Sequence, residues 1–461
     1  MESEFTKVTY LRIESYSQHP EVYAFAEELV DDYMADKQRI RDRAEFIRTA
    51  RKLIASLWLR ENDLFRFTTK AANFGSKRKQ VWMSRKTLIL FTHLLGMKPT
   101  MIRLVEQGIH SAVSKSGKGF SAVYCCTSDF KSRLSSLQVE DIIPDPNLPL
   151  IELRDSERNL MEIDSDIRES EWFNWNLLAL EQHHRLLRSA EILDREGKPL
   201  PSASYRYVRK FKHDFSHGGR LYADFTNLPK RERLSITFSG EEAASLDLSQ
   251  LHPTMIMQML LSTDSEPVGM LRGPLEDAYD MPQYNHLPRA VHKKLINALF
   301  NAETEEAAVR SIKTAHLALT EDGWKCNTYK GRQKRIGTKI FPDNEKGARK
   351  YLEYFKFIHP HYKRAICSGV GAKLQRLDSD MAMKVLHYAT NLGVPCLPVH
   401  DEFVFPASLE LIVRRCIGLA FEEVMERYKP TGEVRLSLTD SNFNEYKLVI
   451  PLHKTLDAYT D

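Results

Sequence analysis

No apolar run in the 461 residues is long enough to cross a bilayer, and no charged-then-apolar leader opens the chain. A membrane partner is therefore not expected, and the cytoplasm is the expected location. The six cysteines form no Cys-x-x-Cys pair, and the adjacent Cys125 and Cys126 suit a disulfide poorly. They read as reduced, buried thiols, and no zinc site follows from them. No internal repeat and no low-complexity tract is present. Charge of one sign is also lacking: 66 basic residues face 62 acidic ones, a net +4 too mild to demand or exclude a nucleic-acid partner. What remains is an ordinary globular composition, 42% apolar and 28% charged, at a length that suggests two or three domains.

The basic residues cluster. Lys77-Arg78-Lys79 with Arg85-Lys86 form one patch. Arg206, Arg209, Lys210 and Lys212 form a second, interleaved with Tyr205, Tyr207 and Phe211. Lys330, Arg332, Lys334, Arg335 and Lys339 form a third. Each alone reads as a solvated face; three together point toward phosphate contact.

Residues 20–60 have helical periodicity, with Phe46, Ile47, Leu53, Ile54 and Leu57 on one side. Residues 75–105 read as basic and partly helical, 118–126 as a short strand, and 170–196 as a long helix. The Asp-Pro-Asn-Leu-Pro run at 145–149 marks a boundary. From about residue 205 short apolar runs alternate with helices, the pattern of an α+β domain.

Three segments there carry chemistry. In Ala-Ala-Ser-Leu-Asp247-Leu-Ser-Gln-Leu-His252-Pro253 an apolar run ends at an aspartate, and Pro253 opens a helix. Taken alone, Asp247 or Ser249 could simply cap that helix. In Val399-His400-Asp401-Glu402-Phe403, apolar runs on both sides read as a hairpin with the acidic pair at its turn. Carboxylates held between buried strands need a cation or a hydrogen-bond network. Two aspartates on separate strands meet the needs of two-metal phosphoryl transfer, with ions roughly 3.5–4 Å apart. In the third segment Pro288 precedes a helix on which Arg289, Lys293, Asn297 and Phe300 share one face. Cations followed by an aromatic suit a triphosphate and its base. Leu295, Ile296 and Leu299 occupy the packing face.

The order and content of these segments resemble the polymerase core of family-A DNA polymerases. Asp247-Leu-Ser-Gln-Leu resembles the first palm motif, Arg289 and Lys293 the nucleotide-binding fingers helix, and Val-His400-Asp401-Glu402 the last palm motif. His217-Gly-Gly219-Arg220-Leu, followed by Asn227-Leu-Pro and Arg233, resembles the segment whose arginine reads the primer terminus. Gln375-Arg-Leu-Asp-Ser-Asp380 resembles the palm helix that contacts template and primer, and Tyr354-Phe355 with Pro360 an aromatic-proline segment. The resemblance covers roughly residues 215–430.

It implies an α+β right hand with an antiparallel palm sheet and helical fingers, preceded by a mainly helical N-terminal region. The expected segments are 1–145, a helical domain for nucleic-acid or partner binding; 146–205, a helical connector or thumb-like region; 206–262, the first part of the palm; 263–362, the fingers; and 363–461, the second part of the palm. It implies two Mg2+ ions, with Mn2+ as a substitute, on Asp247 and Asp401, assisted by the Leu248 carbonyl. It implies a DNA primer–template held by Arg220, Gln375, His400 and Glu402, and dNTPs bound by Arg289, Lys293, Asn297, Phe300 and His252. A replication partner would dock on the N-terminal region.

Three departures leave alternatives open. His252 stands where the family carries a glutamate that helps exclude ribonucleotides. The fingers helix lacks the family's tyrosine-glycine, with Phe300-Asn301 the nearest substitute, and the stretch between Tyr362 and Gln375 is short. An RNA polymerase or primase using rNTPs therefore stays open, as does a DNA-binding replication initiator with a decayed polymerase core. Asp155-Ser-Glu157 superficially resembles an exonuclease motif, but only about 60 residues separate it from the palm, less than a typical domain. Asp155 reads as a surface turn residue, and no proofreading activity is expected.

Overall fold

The computed structural model describes residues 9–11, 13–35, 42–60, 64–67, 84–97, 101–106, 121–261, 277–320, 323–328, 338–428, 433–442 and 444–451. They form a mixed α/β chain with antiparallel sheets, and no described helix is long and apolar enough to cross a membrane. The chain divides into two compact units, residues 1–214 with 222–243, and residues 215–221 with 244–461.

The first unit begins with the helices Pro20–Ala35 and Arg43–Trp58, which pack on each other. The first buries Val22, Phe25, Ala26, Leu29 and Val30, the second Phe46, Ile47, Ala50, Leu53, Ile54 and Leu57, each set at the spacing of one helical face. Helix Arg85–Gly96 starts at Ser84, whose hydroxyl accepts from the Thr87 N–H at 3.0 Å. A four-stranded sheet, in the order Thr9–Tyr10, Phe65–Arg66, Val123–Cys126, Ile102–Glu106, lies in the same unit. Ring contacts of Phe91 with Phe67 (4.1 Å) and Tyr124 (5.1 Å) join that sheet to the third helix. The N-terminal part thus carries a small sheet beside its helices. Strands Thr9–Tyr10 and Phe65–Arg66 pair over two residues each, too short for a period-2 pattern. The long helix expected over 170–196 is Glu171–Ser189, capped by Ser170.

In the second unit the strands Leu397–Val399, Glu402–Pro406 and Glu241–Ser249 neighbour one another in that order. Strand Glu433–Asp440 pairs antiparallel with Glu241–Ser249, setting Asp247 opposite Thr439, and with Glu445–Pro451 on its other side. Helix Gly371–Asn391 packs against Leu251–Leu261, Arg289–Asn301 and Glu410–Met425. Leu374, Leu377, Met381 and Val385 form its buried stripe. An aromatic cluster of Phe300, Phe355 and Tyr362 fills the core below Arg289–Asn301, with ring centroids 5.8–6.2 Å apart.

Candidate active site

Asp247 is half-buried near the end of strand Glu241–Ser249, and Pro253 sits in the first turn of the helix that follows. Asp401 is half-buried in the two-residue turn between Leu397–Val399 and Glu402–Pro406, whose strands pair Val399 with Glu402. His400, the first turn residue, adopts φ 63°, a left-handed conformation that histidine tolerates better than most side chains. The Leu248 N–H donates to the Asp401 carbonyl oxygen at 2.9 Å. The two candidate aspartates thus stand on directly bonded neighbouring segments. Glu402 is only 4% exposed, on strand Glu402–Pro406, so it faces the protein interior rather than a bound strand.

Arg289 opens the helix Arg289–Asn301 after Pro288, its N-cap. Its guanidinium donates through Nε (2.5 Å) and Nη2 (3.1 Å) to the two oxygens of Asp277, and lies 5.1 Å over the ring of Tyr279. Burial lowers the basicity of Arg289, but the Asp277 carboxylate outweighs it and holds the cation above its ordinary range. Lys293 and Asn297 follow on the same side, each half-buried. Phe300 does not join them at a surface. It is 1% exposed and packed among Phe355 and Tyr362, because it continues the buried series His292, Ile296, Phe300 that runs along the helix. Base stacking on Phe300 is therefore corrected to a core role.

Tyr279 ties these groups together. Burial pushes its hydroxyl well above the usual tyrosine range; Arg289 opposes the shift, and the negative charges of Asp401, Asp277 and Asp247 reinforce it. One hydroxyl thus feels both candidate aspartates and the candidate triphosphate cation. The turn carrying Tyr279 is pinned by Gln250, whose side-chain oxygen accepts from the Ala278 N–H at 2.8 Å.

The candidate strand-contacting residues meet on a third carboxylate. Arg220 donates through Nε to Asp378 at 3.1 and 3.3 Å, and its Nη2 also bonds the same group. His252 Nε2 lies 2.8 Å from Asp378 Oδ2. Burial disfavours the charged form of Asp378, yet His252 and Arg220 outweigh it and hold the carboxyl below its usual range. Gln375 is half-buried three residues before Asp378 on the same helix. Arg220 reaches this position because Gly218 and Gly219 adopt φ 78° and 81°, which only glycine takes without strain.

Several sequence readings change. Arg206 and Arg209 do not form a phosphate track: both are buried, Arg206 on the Leu148 and Pro149 carbonyls and Arg209 on Asn176, with its guanidinium 5.8 Å from the Trp172 ring and 5.0 Å from the Phe211 ring. Strand Val208–Lys212 pairs in parallel with Ile151–Arg154, and the two rings beside the guanidinium meet edge to face with centroids 5.7 Å apart. Lys86 is paired with Asp42 and Glu45. Arg85 opens its helix exposed, while Lys77-Arg78-Lys79 of the first patch and all of the third except Lys339 lie outside the described residues. Asp155 accepts from the Asn159 backbone and side chain, both at 2.8 Å, as a turn residue does.

Asp277, Tyr279 and Asp378 were absent from the sequence-based site. For Asp378 a signal existed: a carboxylate beside Leu374, Leu377 and Met381 on a helix's apolar stripe must have partners inside the fold. Among the described residues no three His, Cys, Asp or Glu side chains converge on one point as a metal cluster. The donor set that could take a divalent cation is the pair Asp247 and Asp401. Hard carboxylate oxygens, one or two per site with the shell completed by substrate phosphates and water, suit Mg2+. Compared with known proteins, the chain matches no family model and no curated protein.

Proposed function

We propose that this chain is a template-directed DNA polymerase of the family-A kind, joining dNTPs to the 3′-hydroxyl of a DNA primer without proofreading. The observation that supports this reading is the Leu248–Asp401 backbone bond, which ties the strand carrying Asp247 to the turn of Asp401, near a Tyr279 hydroxyl that the charges of both aspartates and of Arg289 influence. Asp247 and Asp401 would hold Mg2+, which in such a site activates the 3′-hydroxyl and stabilises the leaving pyrophosphate. Arg289 and Lys293 neutralise the triphosphate, Arg289 with a planar fork that matches phosphate oxygens. Arg220 and Gln375 hold the primer–template end, and His400 orients the primer terminus. The 3′-oxygen bonds the α-phosphorus, the α–β bridging bond breaks, and pyrophosphate leaves. The second unit would supply palm and fingers, and the first a thumb-like or partner-binding part.

A second reading, an RNA polymerase or primase, is favoured by one observation. The residue at the sugar-selecting position is an imidazole anchored to a buried carboxylate, His252 on Asp378. Extension of a labelled primer–template with dNTPs and rNTPs side by side, with and without Mg2+, separates the two. Metal-dependent addition of dNTPs is the expected result. No addition of either nucleotide with Mg2+ or Mn2+ would sink both readings.

A further inference from the structure

We propose that Asp378 is a positioning residue that locks Arg220 and His252 into one unit and thereby sets which nucleotide sugar is accepted. This rests on the polymerase reading above. The Asp378 side chain is 3% exposed, on the apolar stripe of helix Gly371–Asn391. It is held by two donors from separate elements: Arg220 on strand Asp214–Tyr222, and His252 on helix Leu251–Leu261. The next residue, Ser379, donates its hydroxyl to the Gly218 carbonyl at 3.1 Å, so consecutive helix residues hold both the backbone and the side chain of the Arg220 strand.

The two donors are not fully enclosed. Arg220 keeps 25% of its side chain exposed and His252 keeps 19%, so each turns an inner edge to Asp378 and an outer edge to solvent. Neither can rotate without leaving a buried carboxylate short of a donor, a costly state. With Nε2 committed to Asp378, the other ring nitrogen is the polar atom with which His252 can meet a sugar hydroxyl. Fixing that nitrogen fixes how a 2′-hydroxyl is received. The same carboxylate fixes the guanidinium assigned to the primer end, so sugar choice and primer seating share one anchor.

The test is the ratio of kcat/KM for a dNTP to that for the matching rNTP on one primer–template. It is measured for the wild type, Asp378→Asn, His252→Ala and the double variant. A merely structural loss lowers the active fraction and both rates together, leaving the ratio untouched. The expected result is a shift of about ten-fold in the ratio for each single variant, the change that roughly one lost hydrogen bond brings, with no further shift in the double. Should Asp378→Asn not fold, Asp378→Glu, which keeps the charge but misplaces it, replaces it with the same expected shift. An active wild type whose ratio survives the Asp378 substitution overturns this inference alone. A wild type that adds neither nucleotide overturns the polymerase reading, and this inference with it.

Discussion

The amide of Leu248 donates to the carbonyl of Asp401 at 2.9 Å, and that bond ties the strand of Asp247 to the turn of Asp401. Asp247 precedes Leu248 on a strand held from its other side by Glu433–Asp440, where the Ser249 and Thr439 hydroxyls are also bonded at 2.8 Å. Asp401 sits in a turn whose strands are buried on every residue from Leu397 to Val399 and from Glu402 to Pro406. Both carboxylates are thus carried by backbone that is hydrogen-bonded to its neighbours or flanked by buried strands.

From this follows a paired prediction. Asp247→Asn and Asp401→Asn should each lower nucleotide addition about a thousand-fold or more. Several kcal/mol of charge stabilisation would be lost, at about 1.4 kcal/mol per decade of rate. The thermal midpoint and the affinity for primer–template, measured by fluorescence anisotropy, should stay close to wild type. Full activity in either variant would remove that aspartate from the chemistry.

Arg289 yields a different kind of test, because its guanidinium is already in a two-point ion pair with Asp277. Arg289→Ala should raise the KM for the nucleotide by roughly ten- to a hundred-fold, the worth of a charge-assisted hydrogen bond. Arg289→Lys should recover only part of this, since an ammonium keeps the charge but not the fork. Steady-state kinetics at saturating primer–template decides it; an unchanged KM in Arg289→Ala would place the triphosphate elsewhere.

How much of this could be read beforehand follows from range. The helix Arg289–Asn301 and the hairpin around His400-Asp401 were legible because their signals are local: Leu295, Ile296 and Leu299 at helical spacing, and apolar runs flanking a polar turn. Asp277 and Tyr279 were not, and for Asp378 the apolar stripe signalled a need for partners but not which ones, since Arg220 and His252 are distant in sequence. Phe300 was misplaced because it lies at the border of two faces, three residues after Asn297 but four after buried Ile296, and spacing alone does not choose between them. Arg209 was misplaced because alternation of basic and aromatic residues looks the same whether the arginines are in water or buried beside Trp172 and Phe211.

Acid should weaken the fold through two buried carboxylates. At Asp145, 1% exposed, burial raises the carboxyl, but Lys52 at 2.6 Å and Asn147 more than offset it and hold it below the usual range. Asp378 behaves alike in the second unit. A folded value below the unfolded one, about 3.9, means the stabilisation is present above about pH 4 and disappears as pH falls through the folded value. Urea midpoints should therefore fall between pH 6 and pH 3. Asp145→Asn should cost roughly 1–3 kcal/mol at pH 6 and show a smaller fall toward pH 3 than the wild type. A variant as acid-sensitive as the wild type would show that Asp145 carries none of the effect.

The junction of helices Arg289–Asn301 and Gly371–Asn391 offers a test of packing that owes nothing to catalysis. A Cβ on Gly371 would lie 2.1 Å from Asn301 Oδ1 and 2.4 Å from its Cγ. Asn301 cannot swing away without giving up its bond to the Asn297 carbonyl at 2.6 Å. Alanine in a helix gains up to about 1 kcal/mol over glycine, whereas overpacking costs about 1–3 kcal/mol, so Gly371→Ala should destabilise the second unit on balance. In an Asn301→Ala background the clashing atoms are gone and only the helical gain remains, so the same substitution should turn neutral or stabilising. Urea unfolding of the four chains of this cycle measures the sign reversal. If Gly371→Ala has the same effect in both backgrounds, the two helices do not meet through Asn301.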